Sequence, residues 1–189
     1  MPKVRLGMRP VVFADLDDVF AIHQKHNSFQ VLAAFKNAAL DDVPSLWKHI
    51  FDASACKNLR TLHDEFAPEY VISSSWASFL DRAQICEVLR RTGLEFVVEN
   101  LHQDWRTPRE DGSYRLTEID KWLDTHALEA PLPYVILDDH LSGQSLPGSH
   151  LDKRAVLCDA WIGFTHPKLR SAQKILRDQL RRHGVRTRD

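Results

Sequence analysis

Val11-Val12-Phe13-Ala14-Asp15-Leu16-Asp17-Asp18-Val19 is the stretch that decides how the rest of the chain is read. Val11 to Ala14 is a short continuous apolar run, the pattern of a strand buried on both faces. Such a strand gains nothing from Asp15 and Asp17. Unpaired buried carboxylates are costly, so acids held at a strand end usually bind a metal or do chemistry. Along an extended chain, residues two apart point the same way, so both side chains can reach one group. The competing reading is a solvated turn after an edge strand.

Three more apolar runs follow: Tyr70-Val71-Ile72-Ser73, Leu94 to Val98, and Tyr134-Val135-Ile136-Leu137. A fifth lies around Ala155 to Cys158. Between them the spacing is helical. Pro44 opens a short helix bearing Leu46, Trp47, Ile50 and Phe51, and a second helix is predicted from about Ser54 to His63. Ser78 to Arg91 reads as a helix stopped by Gly93, with Arg90 and Arg91 in its last turn. Residues 99–114 carry Pro108 and Asp111-Gly112 and read as a polar flap. Thr117 is a candidate cap for a helix bearing Ile119, Trp122 and Leu123. A last helix runs from near Pro167 to Gly184, and the tail over 185–189 is expected to be loose. This alternation predicts one domain over 1–189: an α/β fold with a Rossmann-like parallel sheet and helices on both faces.

Composition narrows the class. The chain has 189 residues, 43% hydrophobic, with a formal net charge of -1. That suits one globular core and gives no global pull toward nucleic acid or membrane. Cys56, Cys86 and Cys158 form no CxxC pair, which fits a reducing compartment. No run spans a bilayer and the N-terminus lacks a signal-peptide pattern, so a soluble cytoplasmic protein is expected.

In open parallel sheets ligands sit outside the carboxyl ends of the strands. Three runs here end in polar clusters: Asp15/Asp17, Ser73 to Ser75, and Asp138/Asp139. If their strands are neighbours, the clusters share one crevice. Carboxylates crowded there repel one another unless a cation joins them, and all-oxygen ligands suit Mg²⁺. Serines beside that charge make a seat for a phosphate.

The same residues resemble the haloacid dehalogenase (HAD) superfamily of phosphohydrolases. Asp15-Leu-Asp17-Asp-Val19 matches its first motif, Val71-Ile72-Ser73-Ser74 its second and Val135-Ile136-Leu137-Asp138-Asp139 its fourth. More narrowly, Ser74-Ser75-Trp76, Arg115-x-x-Glu118-Ile119-x-x-Trp122-Leu123 and Leu157-Cys158-Asp159…Gly163-Phe164-Thr165 are similar to a bacterial subgroup related to the HAD domains of RNA-repair proteins. The resemblance implies a Mg²⁺-dependent phosphatase with a small or absent cap, residues 20–54 leaving room only for a small helical insertion. Asp15 would be the nucleophile, forming a phosphoaspartate, and Asp17 the general acid/base. Ser74, with Ser75 as neighbour, would bind the phosphate. Asp138, Asp139, Asp15 and the Asp17 carbonyl would hold the metal. The third-motif cation would be Arg115 or Lys121. An open site of this kind tends to admit large substrates, such as nucleic-acid ends.

Two other functional classes share these residues: an acidic-cluster Mg²⁺ nuclease and a catalytically silent binding module. The ten histidines form no metal-binding pattern in sequence, and Cys158 reads as a buried strand residue. Trp76 and Trp105 are candidates to border the crevice. Lys168, Arg170, Lys174, Arg177, Arg181, Arg182, Arg186 and Arg188 make the C-terminal region basic. That run is either the solvated face of an amphipathic helix or a nucleic-acid contact.

Overall fold

The computed structural model describes residues 9–23, 25–37, 44–127 and 132–183. Five parallel strands make one sheet: β1 (Val11–Ala14), β2 (Glu69–Ile72), β3 (Leu101–Arg106), β4 (Tyr134–Asp139) and β5 (Ala155–Cys158). Their order is β3-β2-β1-β4-β5. Among the described residues seven α-helices connect or flank them: α1 (Ser28–Lys36), α2 (Pro44–His49), α3 (Ala53–Phe66), α4 (Arg82–Arg91), α5 (Glu95–Glu99), α6 (Arg115–His126) and α7 (His166–Arg182). This is the α/β, Rossmann-like parallel sheet that the alternation of runs predicts. None of these helices is long and apolar enough to cross a membrane.

Alternation along the strands divides the core in two. Val12, Ala14, Tyr70, Ile72, Val135 and Leu137 enter a large cluster with Val31, Leu46, Leu59, Leu62, Val88 and Leu176. Val11, Phe13, Val71 and Ile136 turn the other way, onto Ile119 and Trp122 of α6 and onto Leu146 and Leu151. The Phe13 ring meets Trp122 edge-on, with centroids 5.2 Å apart. Both faces are therefore apolar, which is why the central strands read as unbroken hydrophobic runs.

Several element boundaries differ from expectation. Residues 94–98 are not a strand. Leu94 and Val97, three apart, are buried on one side of the short helix α5. The third strand lies at Leu101–Arg106, inside the segment expected to be a flap. It is an edge strand of mostly polar residues, half-buried or exposed, so it carries no apolar run. Its register against β2 shifts between Tyr70 and Ile72. The irregular flap shrinks to 107–114. The helix expected over 78–91 is two pieces, a 3₁₀ turn at Ser75–Ser78 and then α4. Asp81 and Gln84 form a capping box that restarts the chain as α-helix. Thr117 is not the cap of α6, which begins at Arg115; Ser145 Oγ accepts from Leu116 N at 3.0 Å instead. Residue Gly184 and the tail over 185–189 lie outside the described residues.

The turn after β5 is clipped to the turn after β1. Phe164 N donates to Val19 O at 2.9 Å, and Trp161 N donates to Asp18 Oδ1 at 3.0 Å. Gly163 makes this approach with φ +75°, where an added Cβ would meet Val19 O and Ile22 Cγ2, each at 2.8 Å. Gly163→Ala should destabilise the fold by about 1–3 kcal/mol, through both the left-handed backbone and the backbone clash. Calorimetric unfolding would register this, and an unchanged midpoint would refute the clip.

Candidate active site

The site follows from sheet register. Ala14 pairs with Ile72 on one side and with Leu137 on the other. The next residues, Asp15, Ser73 and Asp138, therefore emerge at one level beyond the carboxyl ends of three adjacent strands. Backbone bonds hold that level: Asp15 N donates to Leu137 O at 2.9 Å, and Ser73 N donates to Ala14 O at 2.9 Å. β1 lies at the centre of the sheet, where the strand order reverses and ligands are commonly bound.

Asp15, Asp138 and Asp139 are buried, and each offers a carboxylate oxygen within 4.8 Å of the others. One oxygen of each is tied to backbone. Asp15 Oδ1 accepts from Leu16 N at 2.8 Å, and Asp138 Oδ1 accepts from Asp139 N at 2.9 Å. Asp139 Oδ1 accepts from Leu141 N at 2.6 Å and Ser142 N at 3.0 Å. These bonds fix the carboxylates and leave their second oxygens for other partners.

Arg115 is the cation among them. It opens α6 with only 6% of its surface exposed. Its Nε donates to Asp138 Oδ2 at 2.5 Å, and its Nη1 donates to Glu118 Oε2 at 3.0 Å. Its Nη2 lies 3.2 Å from Asp15 Oδ2. That last contact is electrostatic, since Asp15 Oδ2 has no well-formed hydrogen bond among the described residues. Glu118 is itself anchored by Ser113 Oγ, which donates to Oε1 at 2.7 Å.

One guanidinium does not balance this many acids. Burial, then the Asp138 charge, pushes the Asp15 carboxyl well above its ordinary range; Arg115 and Ser74 pull it back only in part. Burial pushes Asp138 up to about 6 against the opposing pull of Arg115. Burial also raises Asp17, opposed by Trp76 and Ser75. A site whose carboxylates tend toward the neutral form is short of positive charge. The donor set is all oxygen and fits a hard divalent cation such as Mg²⁺.

The remaining expected residues fall as follows. Asp17 is half-buried and receives a 3.4 Å bond from Ser75 Oγ. Ser74 is buried and caps the 3₁₀ turn, its Oγ accepting from Trp76 N at 3.4 Å. Lys121 is not brought to the acids. Six residues along α6 place it roughly 120° around the helix from Arg115, and its Nζ pairs with Glu110 Oε1 at 2.7 Å. Trp76 is fully buried and packs on Phe51, so it does not line a crevice. Trp105 lies on another groove, beside Arg82 and Trp122. Cys158 is buried, and burial pushes its thiol up to about 12, far from a reactive thiolate.

Three contributors had no assigned role in the sequence. Glu118 orients Arg115, and its three-residue spacing on one helix was the available signal. Thr107 is buried, with Oγ donating to Ser73 Oγ at 3.4 Å. Gly143 leaves room for the acids: a Cβ there would meet Asp139 O at 2.8 Å and Asp138 Cγ at 3.2 Å. Beside Ser74 an open groove of about 500 Å³ is lined by Ser78, Arg106, Thr107 and Arg109.

Comparison with known proteins agrees with this geometry. A family model described as "HAD domain in Swiss Army Knife RNA repair proteins" matches residues 11–169, and the chain belongs to that family. Nothing among the curated proteins or the solved structures matches it significantly.

Removing the cation should be more harmful than removing an ordinary surface charge. Arg115→Met leaves Asp15, Asp138 and Glu118 buried without their partner, and should destabilise by about 3–5 kcal/mol. Denaturant unfolding would measure this, and a loss below about 1 kcal/mol would show the cluster to be tolerant of the vacancy. Stability should also depend on pH. The fold favours neutral Asp138, whose unfolded counterpart titrates near about 4. Without divalent cation, this contribution is complete below about 4 and is lost as pH rises through about 6. Excess Mg²⁺ should flatten that decline.

Proposed function

We propose that this HAD-family domain is a Mg²⁺-dependent phosphatase working through a phosphoaspartate on Asp15. The observation that carries the reading is the buried group of Asp15, Asp138 and Asp139 around Arg115, still short of positive charge at the carboxyl edge of the sheet. Asp15, Asp138, Asp139 and the Asp17 carbonyl would hold the metal. Bound there, Mg²⁺ would keep the carboxylates ionised and offset charge on the phosphoryl oxygens.

In the first half-reaction an Asp15 oxygen forms a bond to phosphorus while the bond from phosphorus to the leaving oxygen breaks. Asp17 gives its proton to that oxygen. Burial raises its pKa, a shift in the direction that favours the protonated form the role uses. In the second half-reaction Asp17, now ionised, takes a proton from water. The resulting hydroxide attacks phosphorus, the Asp15–phosphorus bond breaks, and inorganic phosphate leaves. Arg115 offsets charge as it shifts between Asp15 and the phosphoryl group. Ser74, with Ser75 beside it, supplies neutral donors to the phosphate.

For the substrate class we propose phosphorylated ends of nucleic acid. Two features support it: among the described residues of the segment available for a cap only the short helices α1 and α2 stand, and the groove beside Ser74 carries Arg106 and Arg109. The basic residues of α7 lend less support. Lys174 pairs with Asp178, Arg177 with Glu65 and Lys168 with Asp159, the pattern of a solvated helix face.

Hydrolysis should be measured on an aryl phosphate and on 3′- and 5′-phosphorylated oligonucleotides, with Mg²⁺ and with chelator. Activity is expected only with Mg²⁺. Asp15→Asn should lower kcat/KM at least roughly a thousandfold, as loss of a nucleophile does. Asp17→Asn should lower it roughly 10²–10⁴-fold, most with poor leaving groups. Phosphorylation trapped on Asp15 supports the covalent route. Strand scission that survives Asp15→Asn would transfer the reading to a nuclease, and inactivity on every substrate would overturn it.

A further inference from the structure

A second cluster lies away from the acidic site, where edge strand β3 meets the end of α6. His102 and Asp104 are two apart on β3 and share a face, and His126 closes the last turn of α6. One ligand atom from each falls within 4.8 Å of the other two. Sequence spacing could not reveal this group, because His126 lies more than twenty positions beyond Asp104 and only α6 packing returns it.

The hydrogen bonding of His126 is what makes the group more than a coincidence of side chains. Its Nδ1 lies 2.7 Å from Trp122 O. A carbonyl oxygen only accepts, so the ring proton sits on Nδ1 and the Nε2 lone pair faces outward. A second-nitrogen bond to backbone carbonyl is the usual support of a metal-binding imidazole. That Nε2 stands 2.7 Å from Asp104 Oδ2. A lone pair and a carboxylate oxygen cannot remain so close without a positive centre between them, either a second ring proton or a metal ion.

The surroundings hold the three groups in place. Trp122 stacks on the His126 ring, with centroids 3.9 Å apart, and its Nε1 donates to Asp104 O at 2.9 Å. The His102 ring stands edge-on to both Trp122 and His126, at 4.9 Å and 5.0 Å. His102 Nδ1 accepts from Asp104 N at 3.0 Å. Coordination through either nitrogen of His102 exchanges that one bond for a metal bond. Three cations on the adjoining groove are engaged elsewhere: Arg82 with Gln103 O, Arg106 with Ala77 O and Lys121 with Glu110.

We infer that His102, Asp104 and His126 bind a borderline divalent cation, Zn²⁺ being the best fit, and clasp β3 to α6. Two imidazoles with one carboxylate select zinc, cobalt or nickel over magnesium, the reverse of the all-oxygen cluster. Tetrahedral zinc with bonds of about 2.0–2.1 Å keeps its ligands roughly 3.3 Å apart, reached here by small rotations of the three side chains. Asp104 is exposed, so water can fill the fourth position.

The test is Zn²⁺ binding by equilibrium dialysis in excess Mg²⁺, with Co²⁺ absorption reporting the ligand field and thermal unfolding reporting the clasp. Wild type is expected to bind one Zn²⁺ per chain and to melt higher with it. His102→Ala and His126→Ala should each weaken binding at least tenfold and lose the thermal gain, while Asp138→Asn in the acidic cluster retains both. His126→Gln, closer in size and able to keep a polar contact, serves if the alanine variant fails to fold. No Zn²⁺ bound by wild type, or equal affinity in the histidine variants, would overturn the inference and leave a His126–Asp104 hydrogen bond. Neither result depends on phosphatase activity, so this inference and the proposed function can fail separately.

Discussion

Ion pairing between Arg115 and the acids at the carboxyl ends of β1 and β4 is the interaction on which the site depends. Register alone places Asp15 beside Asp138, because Ala14 faces Leu137. Nothing in the ladder separates them, and burial at the sheet edge removes the water that would screen them. Such a pair is unfavourable unless a cation of fixed position enters it. Arg115 does so with three of its nitrogens aimed at three different carboxylates. A lysine would present one compact charge and could not divide its donors in that way. The fork geometry of arginine therefore suits a cluster that must be held open around a central space.

Arg115 is itself positioned by the packing of α6. The helix contributes its first turn to the site through Arg115 and Glu118. Its middle, Ile119 and Trp122, lies against Val11, Phe13 and Ile136. The same β1 strand thus sets both partners: Phe13 seats the helix, and Asp15, two residues on, meets the guanidinium that the helix carries. A change in the Phe13–Trp122 contact would move the cation relative to the nucleophile candidate without touching either. The apolar run that first marked β1 and the charges at its end are in this sense one structural unit.

What was legible in the sequence follows from where chemistry leaves a pattern. Central strands must be apolar on both faces, so β1, β2 and β4 stood out, together with the apolar edge strand β5, and the polar residues at the ends of β1, β2 and β4 became informative. β3 has one free edge and no such requirement; its residues read as loop, while the apolar α5 before it passed for a strand. Asp15, Asp138 and Asp139 could be expected together because two of the apolar runs ended in acids. Arg115 and Lys121 could not be separated by type or neighbourhood, and only the helical angle between them does so. Glu118, Thr107 and Gly143 carry no catalytic signature. Their part is to hold an arginine, a serine hydroxyl and a pair of carboxylates, which is a matter of contact rather than composition.

The electrostatics also explain why Asp15 and Asp17, so alike in sequence, are unlike in place. Asp15 is fully enclosed, with a neighbouring acid among the causes that raise its pKa, and it faces a guanidinium. Asp17 is only half-buried, and the hydrogen bond it receives comes from the neutral Ser75 hydroxyl. A cation entering the cluster would act most strongly on Asp15, driving it to the ionised form that a nucleophile requires. Asp138 is not among the charges that shift Asp17, whose carboxyl is raised less strongly than that of Asp15. The turn that follows β1 creates this difference: Asp18 adopts φ +54°, folding the chain back so that Ala21 N reaches Leu16 O at 2.8 Å.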